Sequence, residues 1–401
     1  MVFTCSFNKI KIVKSISDKI LLIIPSYLPI IGGAELAVYN IAKSLKSKGI
    51  KADVLTFNIK KERWKTSLRT EIQYIDGVKV YYLGAFNLLF FLNNKYKSLL
   101  IRILGVQLIP SIRLYKIIKN YDLLHFNDEV NLSLPFFLMP IKKKKIFHIR
   151  TLVQLYDGFK RYAISRFVLR NVSEKYIIET NEYVSLLESL GISKNRMLFW
   201  KKGVNTNTFK KKEIIKNGEY FNILTIGRFS DKNKGFDIIL EALGKISLKI
   251  KLTIISPLFE ENDYSLKLQE KIAILNKNGS IKVELIINVP QEELVDYYSK
   301  ADIFVFTPRK DSMPNVLLEA ASCQLPIIST NVGGIPNIIN NMNAGILISP
   351  GNIEQLRNEI TILLKDKNLI KDIGYNARKN IMKNYSMKSA IDKLIDIYKN
   401  L

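Results

Sequence analysis

The chain has 401 residues, 47% hydrophobic and 24% charged, the composition of a globular protein long enough for two domains and not of a disordered or fibrous one. Its two cysteines, Cys5 and Cys323, exclude a disulfide scaffold, show no metal spacing and suit a reducing compartment. The net charge of +25 is uneven: residues 1–210 hold 35 Lys+Arg against 14 Asp+Glu, a net of +21, and residues 211–401 hold 26 against 22, a net of +4.

No run approaches the roughly 18 uninterrupted apolar residues of a spanning helix. The opening MVFTCSFNKIKIVK places its charges after its apolar residues, the reverse of a secretory signal. The basic first half attracts phosphate-rich partners, nucleic acid or an anionic membrane surface; solvated lysine on helix faces is the plainer alternative.

In chain order, apolar runs with strand character alternate with segments of helical period, which predicts α/β architecture with parallel sheets. KILLIIP (Lys19 to Pro25) is the first strand, and a loop with Gly32 and Gly33 follows. AELAVYNIAKSLKSKG reads as an amphipathic helix stopped by Gly49, and ADVLTF is the next strand. This βαβ opening sets a glycine turn at the carboxyl end of strand one, where open α/β sheets bind ligands. VKVYYL, DLLHF, KIFHIR and KYIIET are the later strands of this half.

The polar, Lys-rich Phe209 to Phe221 reads as a linker. A second series follows: NILTIGRF, a helix from Phe236 to about Lys245, a strand ending LTIIS, then KVELII, DIFVF, LPIIST and AGILIS. Met387 to Leu401 is a closing amphipathic helix. The predicted division is residues 1–210, 211–385 and a final helix, 386–401.

Chemistry concentrates in DSMPNVLLE, Asp311 to Glu319. Pro314 suits the first helical position, and Ser312 or Asp311 can cap the orphan amides. Asp311 then sits before the helix and Glu319 about 1.5 turns into it. A helix N-terminus flanked by two acids suits a ligand with phosphates and sugar hydroxyls; the competing reading is a capped helix with one solvated acid. Earlier, strand NILTIGRF ends in Gly227-Arg228, and Lys234 precedes Gly235 at the next helix. Two cations at a strand–loop–helix junction form a plausible diphosphate clamp. The chain has no Asp-x-Asp pair for a metal–diphosphate complex, so these cations and a helix dipole would carry that charge.

Several motifs together resemble retaining nucleotide-sugar glycosyltransferases of family 4, with the GT-B fold, over nearly the whole chain. They are GGAE (Gly32 to Glu35), GRFSDKNKGFD, DSMPNVLLEA, VGGIPNII with NAGILISPGN, and KKGVNTNTF, which resembles the family's Asn-Gly-Val-Asp…Phe segment. The resemblance implies two Rossmann-like domains facing a cleft, acceptor in the first and donor in the second, with the last helix crossing back to the first domain. It implies that Arg228 and Lys234 neutralise the donor diphosphate beside Gly227. Glu319 would bind the ribose hydroxyls and Asp311 the donor sugar near its anomeric carbon. Backbone amides along Ser312, Met313, Pro314, Asn315 and Val316 would face sugar and phosphate, proline contributing only its carbonyl, while Gly32 and Gly33 close over the diphosphate. His148, or Arg150 two residues on, would contact the donor sugar from the first domain.

The chain departs from the pattern in four places. Asp311 stands where Glu is usual, Lys234 lies one residue further from Arg228 with Lys232 as rival, and Gln324 and Asn205 replace Gly and Asp. The implied reaction is retaining transfer from a UDP- or GDP-linked sugar to a hydroxyl of a glycan or lipid-linked acceptor, without a metal or other cofactor, in surface polysaccharide or glycolipid synthesis. Leu83 to Gly105, with Lys95, Lys97 and Arg102, and the Lys142–Lys145 cluster suit docking on an anionic membrane, placing the protein in the cytoplasm, peripheral on the inner membrane face. A nucleotide-sugar epimerase or hydrolase on the same fold is the rival enzyme. A nucleic-acid-binding protein is the rival outside catalysis, but no RNA motif, zinc spacing or helix-turn-helix signal supports it, so no nucleic-acid partner is expected.

Overall fold

The apolar runs condense into two sheets, seen in a computed structural model that describes residues 19–29, 32–60, 65–87, 108–127, 142–150, 163–214, 218–277, 279–339 and 344–401. The first sheet contains β1 (Ile20–Ile23), β2 (Ala52–Phe57), β3 (Glu71–Ile75), β4 (Val78–Leu83), β5 (Leu123–Asn127), β6 (Lys144–His148), β7 (Lys175–Ile178) and β8 (Met197–Phe199). Across the sheet they run β8-β7-β6-β5-β1-β2-β4-β3, all parallel except β3 against β4. The second sheet contains β9 (Phe221–Ile226), β10 (Ile250–Ser256), β11 (Ile281–Ile287), β12 (Ile303–Phe306), β13 (Ile327–Thr330) and β14 (Ile346–Ile348). These are parallel throughout, in the order β11-β10-β9-β12-β13-β14.

Parallel strands are buried on both faces, which is why they appear in the sequence as unbroken apolar runs. Leu21 and Ile23 enter one core of the first domain while Ile20 and Leu22 enter the other. Leu224 and Ile226 are likewise separated from Ile223 in the second domain. Two strands carry no such signal. β3 is an edge strand with four exposed residues and a partly buried fifth, and β8 is three residues long.

Each sheet has a topological switch point: β1 lies between β2 and β5, and β9 between β10 and β12. Chains leave adjacent strands there in opposite directions, opening a crevice at their carboxyl ends. The helices used below are α1 (Gly33–Ser47), α2 (Phe236–Leu243), α3 (Asn315–Ser322) and α4 (Met387–Lys399).

The chain changes domain soon after Trp200. Val204 and Phe209 pack in the second domain's core, whereas Trp200 packs in the first. A boundary at residue 210 is therefore several residues late, because Val204 and Phe209 are apolar side chains buried by the second sheet. The return crossing runs alongside: the Val204 amide donates to the Tyr385 carbonyl at 2.8 Å, and the Met387 amide to the Val204 carbonyl at 2.9 Å. Helix α4 then lays Ile391, Leu394 and Tyr398 on the first domain's core. Trp200 Nε1 donates to the Ala390 carbonyl at 2.7 Å, and Tyr398 Oη lies 2.6 Å from His125 Nδ1.

Among the described residues, no helix is long and apolar enough to cross a membrane. Most of Leu83 to Gly105, including Lys95, Lys97 and Arg102, lies outside the described residues.

Candidate functional site

The second switch point presents two loops. One follows β9, from Gly227 to Gly235, and the other follows β12, from Thr307 to Pro314. They are locked together behind the crevice. The Arg309 amide donates to the Asn233 carbonyl at 2.7 Å, and its guanidinium grips both carboxylate oxygens of Asp237 at 2.9 and 2.7 Å. Thr307 Oγ1 donates to the Gly235 carbonyl at 2.9 Å. Gly235 has φ +72°, and a Cβ there would fall 1.9 Å from the Thr307 carbonyl oxygen; only glycine lets the two loops touch.

This closure delivers Lys234 to Asp311, with Nζ and Oδ2 2.8 Å apart. Lys234 Nζ also lies 5.7 Å from the Phe306 ring centroid, and Gly227 rests against its methylenes. The rival cation, Lys232, is exposed, and its carbonyl accepts from Arg309. Asp231 caps the short 3-10 turn at Lys232–Lys234 by accepting from the Asn233 amide, which accommodates the extra residue and still turns Lys234 inward. Arg228 is exposed at the crevice mouth and forms no ion pair with another described residue.

From behind, Gly333 and Gly334 support the acidic loop: the Gly334 amide donates to the Ser312 carbonyl at 2.5 Å, and a Cβ on Gly333 (φ +54°) would fall 1.9 Å from the Asp311 carbonyl oxygen. The loop leads into α3, but not as the sequence suggested. Pro314 is the N-cap and Asn315 the first helical residue, and no side chain caps the helix. Asp311 and Ser312 are engaged elsewhere, Asp311 with Lys234 and Ser312 Oγ with the Arg150 carbonyl at 3.2 Å across the cleft. The Met313 side chain is buried in the second domain's core and Val316 packs against that core, so only their backbones can serve a ligand.

Glu319, one turn further along α3, is 5% exposed and accepts from Tyr298 Oη at 2.9 Å. Burial raises its pKa to about 7, opposed by the Tyr298 hydrogen bond and Lys202. It lines a cavity of about 210 Å³ together with Asn315, Lys202, Gln291 and residues of α1. The first domain brings a second helix N-terminus to this place. Asn315 Nδ2 lies 3.5 Å from the Gly33 carbonyl oxygen at the start of α1, and Glu35, from the same glycine motif, accepts from Ser26 Oγ at 2.5 Å. Gly32 is the N-cap of α1.

His148 and Arg150 belong to one network, joined through Glu179. His148 is fully buried, its Nε2 3.2 Å from Glu179 Oε1 and its ring edge-on to Trp200 and stacked on His125. Burial, with Arg150 adding to it, depresses its pKa to about 4. Arg150 is 8% exposed, donates to Asn127 Oδ1 at 2.8 and 3.2 Å, and lies 3.5 Å from Glu179 Oε1. Its backbone carbonyl receives Ser312, so it sits nearer the cleft.

Glu179 and Lys202 carried no signal in a single sequence, because each lies outside the motifs' charged positions and meets its partners only through the fold. Burial alone would raise the Glu179 pKa, but Lys202, His148 and Arg150 overcome it and hold the carboxyl at about 2. Asn205, where Asp is usual, accepts through Oδ1 from the amides of Asn207 and Thr208 at 3.1 and 3.2 Å. Gln324 holds φ +57°, the conformation that explains a preference for glycine there.

The arrangement offers cations, a helix N-terminus and two acids on one cleft, a set able to hold a phosphorylated ligand that also carries hydroxyls. Residues 206–380 match the family model for glycosyl transferases group 1. Over 383 residues the chain is 28% identical to an uncharacterized glycosyltransferase of Methanocaldococcus jannaschii, spanning 94% of this chain and 96% of that protein. The matched residues resemble the glycosyl transferases group 1 domain, and the chain as a whole is similar to glycosyltransferases. A 25% identity to the capsular polysaccharide biosynthesis glycosyltransferase CapM of Staphylococcus aureus spans 51% of this chain and 53% of CapM.

The fold is GT-B. Sucrose-phosphate synthase from Thermosynechococcus elongatus superimposes with a TM-score of 0.75 at 16% identity, covering 96% of this chain and 98% of that one. Anabaena HepE in complex with UDP and glucose superimposes with a TM-score of 0.73 at 18% identity, covering 96% and 100%.

Proposed function

We propose that this protein is a glycosyltransferase that moves a sugar from a nucleoside diphosphate to an acceptor hydroxyl with retention at the anomeric carbon and without a metal. The Lys234–Asp311 pair at the head of the uncapped α3, one turn before Glu319, carries this reading. A nucleotide sugar presents charge, sugar hydroxyls and ribose hydroxyls in that order, and the site presents their complements. The relative bound to UDP and glucose supports the ligand class.

The diphosphate displaces Asp311 from Lys234 and is held by Lys234, Arg228 and the α3 N-terminus. Asp311, released, accepts from donor-sugar hydroxyls, while Glu319 accepts from the ribose. As the anomeric C–O bond lengthens, negative charge gathers on the leaving phosphate, where these fixed groups are strongest. The acceptor oxygen bonds to the anomeric carbon on the same face, and its proton passes to the departing phosphate oxygen. The products are the glycoside and the free nucleoside diphosphate. Arg150 and the buried His148–Glu179 pair shape the sugar's side of the cleft.

The capsular polysaccharide relative supports a glycan or lipid-linked acceptor in surface polysaccharide or glycolipid synthesis. The exposed Lys142 and Lys144, in a first half of net charge +21, support docking on the inner face of an anionic membrane.

A thermal-shift panel of UDP- and GDP-sugars tests the donor class, since a ligand that binds the folded state raises Tm. Glu319→Ala and Arg228→Ala should each abolish the shift, and full retention in both sinks the assignment. Product formation that needs no acceptor would point to a hydrolase or epimerase.

A further inference from the structure

We infer that Lys202 is a third cation for the donor diphosphate, contributed by the linker between the domains. The inference rests on the nucleotide-sugar reading above and deepens it. Lys202 lines the interdomain cavity together with Glu319 and Asn315. Its side chain is 13% exposed, and its nearest acid, Glu179 Oε2, is 3.9 Å away, too far for a hydrogen bond. Among the described residues nothing accepts from its ammonium within hydrogen-bond distance, so its three N–H donors are unspent at the cavity.

Glu179 is shared, since it also pairs with Arg150 at 3.5 Å and His148 at 3.2 Å. Asp311 is taken by Lys234 at 2.8 Å, and Glu319 by the Tyr298 hydroxyl at 2.9 Å. A largely buried cation without a full partner is costly to the free protein, and a ligand that brings negative charge removes the cost.

Position identifies the charge. Lys202 shares its cavity with Glu319, the acid assigned to the ribose. Burial disfavours its charged form, and Glu179, then Asp311 (assigned to the donor sugar) and Glu319 favour it. In a nucleotide sugar the group between sugar and ribose is the diphosphate. Because the residue sits where the chain crosses between domains, the diphosphate would tie the linker to both walls of the cleft.

The test compares wild type with Lys202→Met and Lys202→Arg, titrating UDP and GDP by calorimetry and the parent nucleosides by ligand-observed NMR. Lys202→Met should weaken the preferred diphosphate by about tenfold or more, the loss of a charge-assisted hydrogen bond, and leave the nucleoside within about twofold. Lys202→Arg should keep most of the diphosphate affinity. Equal losses for diphosphate and nucleoside in Lys202→Met would mean a structural role and overturn the inference, as would an unchanged diphosphate affinity. If Lys202→Met fails to fold, the arginine variant decides through the same split: selective retention of the diphosphate supports the inference, and loss of both ligands overturns it. Wild-type protein that takes up neither UDP nor GDP overturns the nucleotide reading itself, and the inference with it.

Discussion

Lys234 Nζ and Asp311 Oδ2 are 2.8 Å apart although 77 residues separate them in sequence. In the proposed reading, the cation assigned to the phosphate is held by the acid assigned to the sugar. Removing that competitor should separate binding from chemistry. Asp311→Asn is expected to bind UDP or GDP as tightly as wild type or several-fold tighter, while kcat for transfer falls on the order of 100-fold. Calorimetry and a transfer assay on one preparation check this; a large loss of nucleotide affinity would show that Asp311 is needed to hold Lys234 in place.

Glu319 gives a pH dependence with a definite sign. Burial raises its folded pKa to about 7 from an ordinary value of 4.5, so the folded protein holds a proton there that the unfolded chain has lost. Stability therefore falls as pH rises from about 4.5 to about 7 and is flat above, by on the order of a few kcal/mol. Glu319→Gln should flatten that part of the stability profile in urea titrations. Nucleotide binding should move the opposite way in wild type, strengthening through pH 7 as a carboxylate becomes available to ribose hydroxyls. A wild-type affinity constant from pH 5.5 to 8 would contradict this.

His148 has the opposite linkage. Its folded pKa is depressed to about 4 by burial, so the unfolded chain binds the extra proton and stability is lost as pH falls from about 6.5 toward 4. His148→Gln should be less acid-sensitive than wild type across that window, by unfolding midpoint at matched ionic strength. An unchanged slope would place the acid sensitivity in other groups.

The loop lock predicts a graded mutational pattern. Gly235→Ala meets both φ +72° and a carbonyl 1.9 Å from the new Cβ, and should cost about 2–4 kcal/mol. Gly218→Ala, where a Cβ meets nothing within 4 Å, should lie within about 0.5 kcal/mol of wild type. The Arg309–Asp237 pair is partly exposed yet bidentate, so its double-mutant coupling should be about 1 kcal/mol, with the donor KM rising in both single variants as Lys234 loses its register. Equal stability of the two alanine variants would mean the loops adjust freely.

Membrane docking has a direct check. Vesicles containing anionic lipid should carry the protein upward in flotation at low salt, neutral vesicles should not, and Lys142→Glu with Lys144→Glu should weaken the effect by about 1 kcal/mol per charge. Equal recovery with both vesicle types would end that proposal.

The strand runs, the two α/β halves and the spacing of Gly33, Lys234, Asp311 and Glu319 were legible in the sequence. Their signals are local: a strand buried on both faces must be apolar along its length, and a loop that ends at a switch point must carry its ligand groups within a few residues. The edge strand β3 was silent because it buries almost nothing.

Tertiary structure decided the rest. It set Lys234, and not the exposed Lys232, against Asp311, turned Pro314 from first helical residue into N-cap, and joined His148 and Arg150 through Glu179. It also set Lys202 beside Glu319, drawing the interdomain linker into the cleft. Each of these depends on which distant charge a side chain meets after burial, and a residue's desolvation and partners exist only once both sheets have formed.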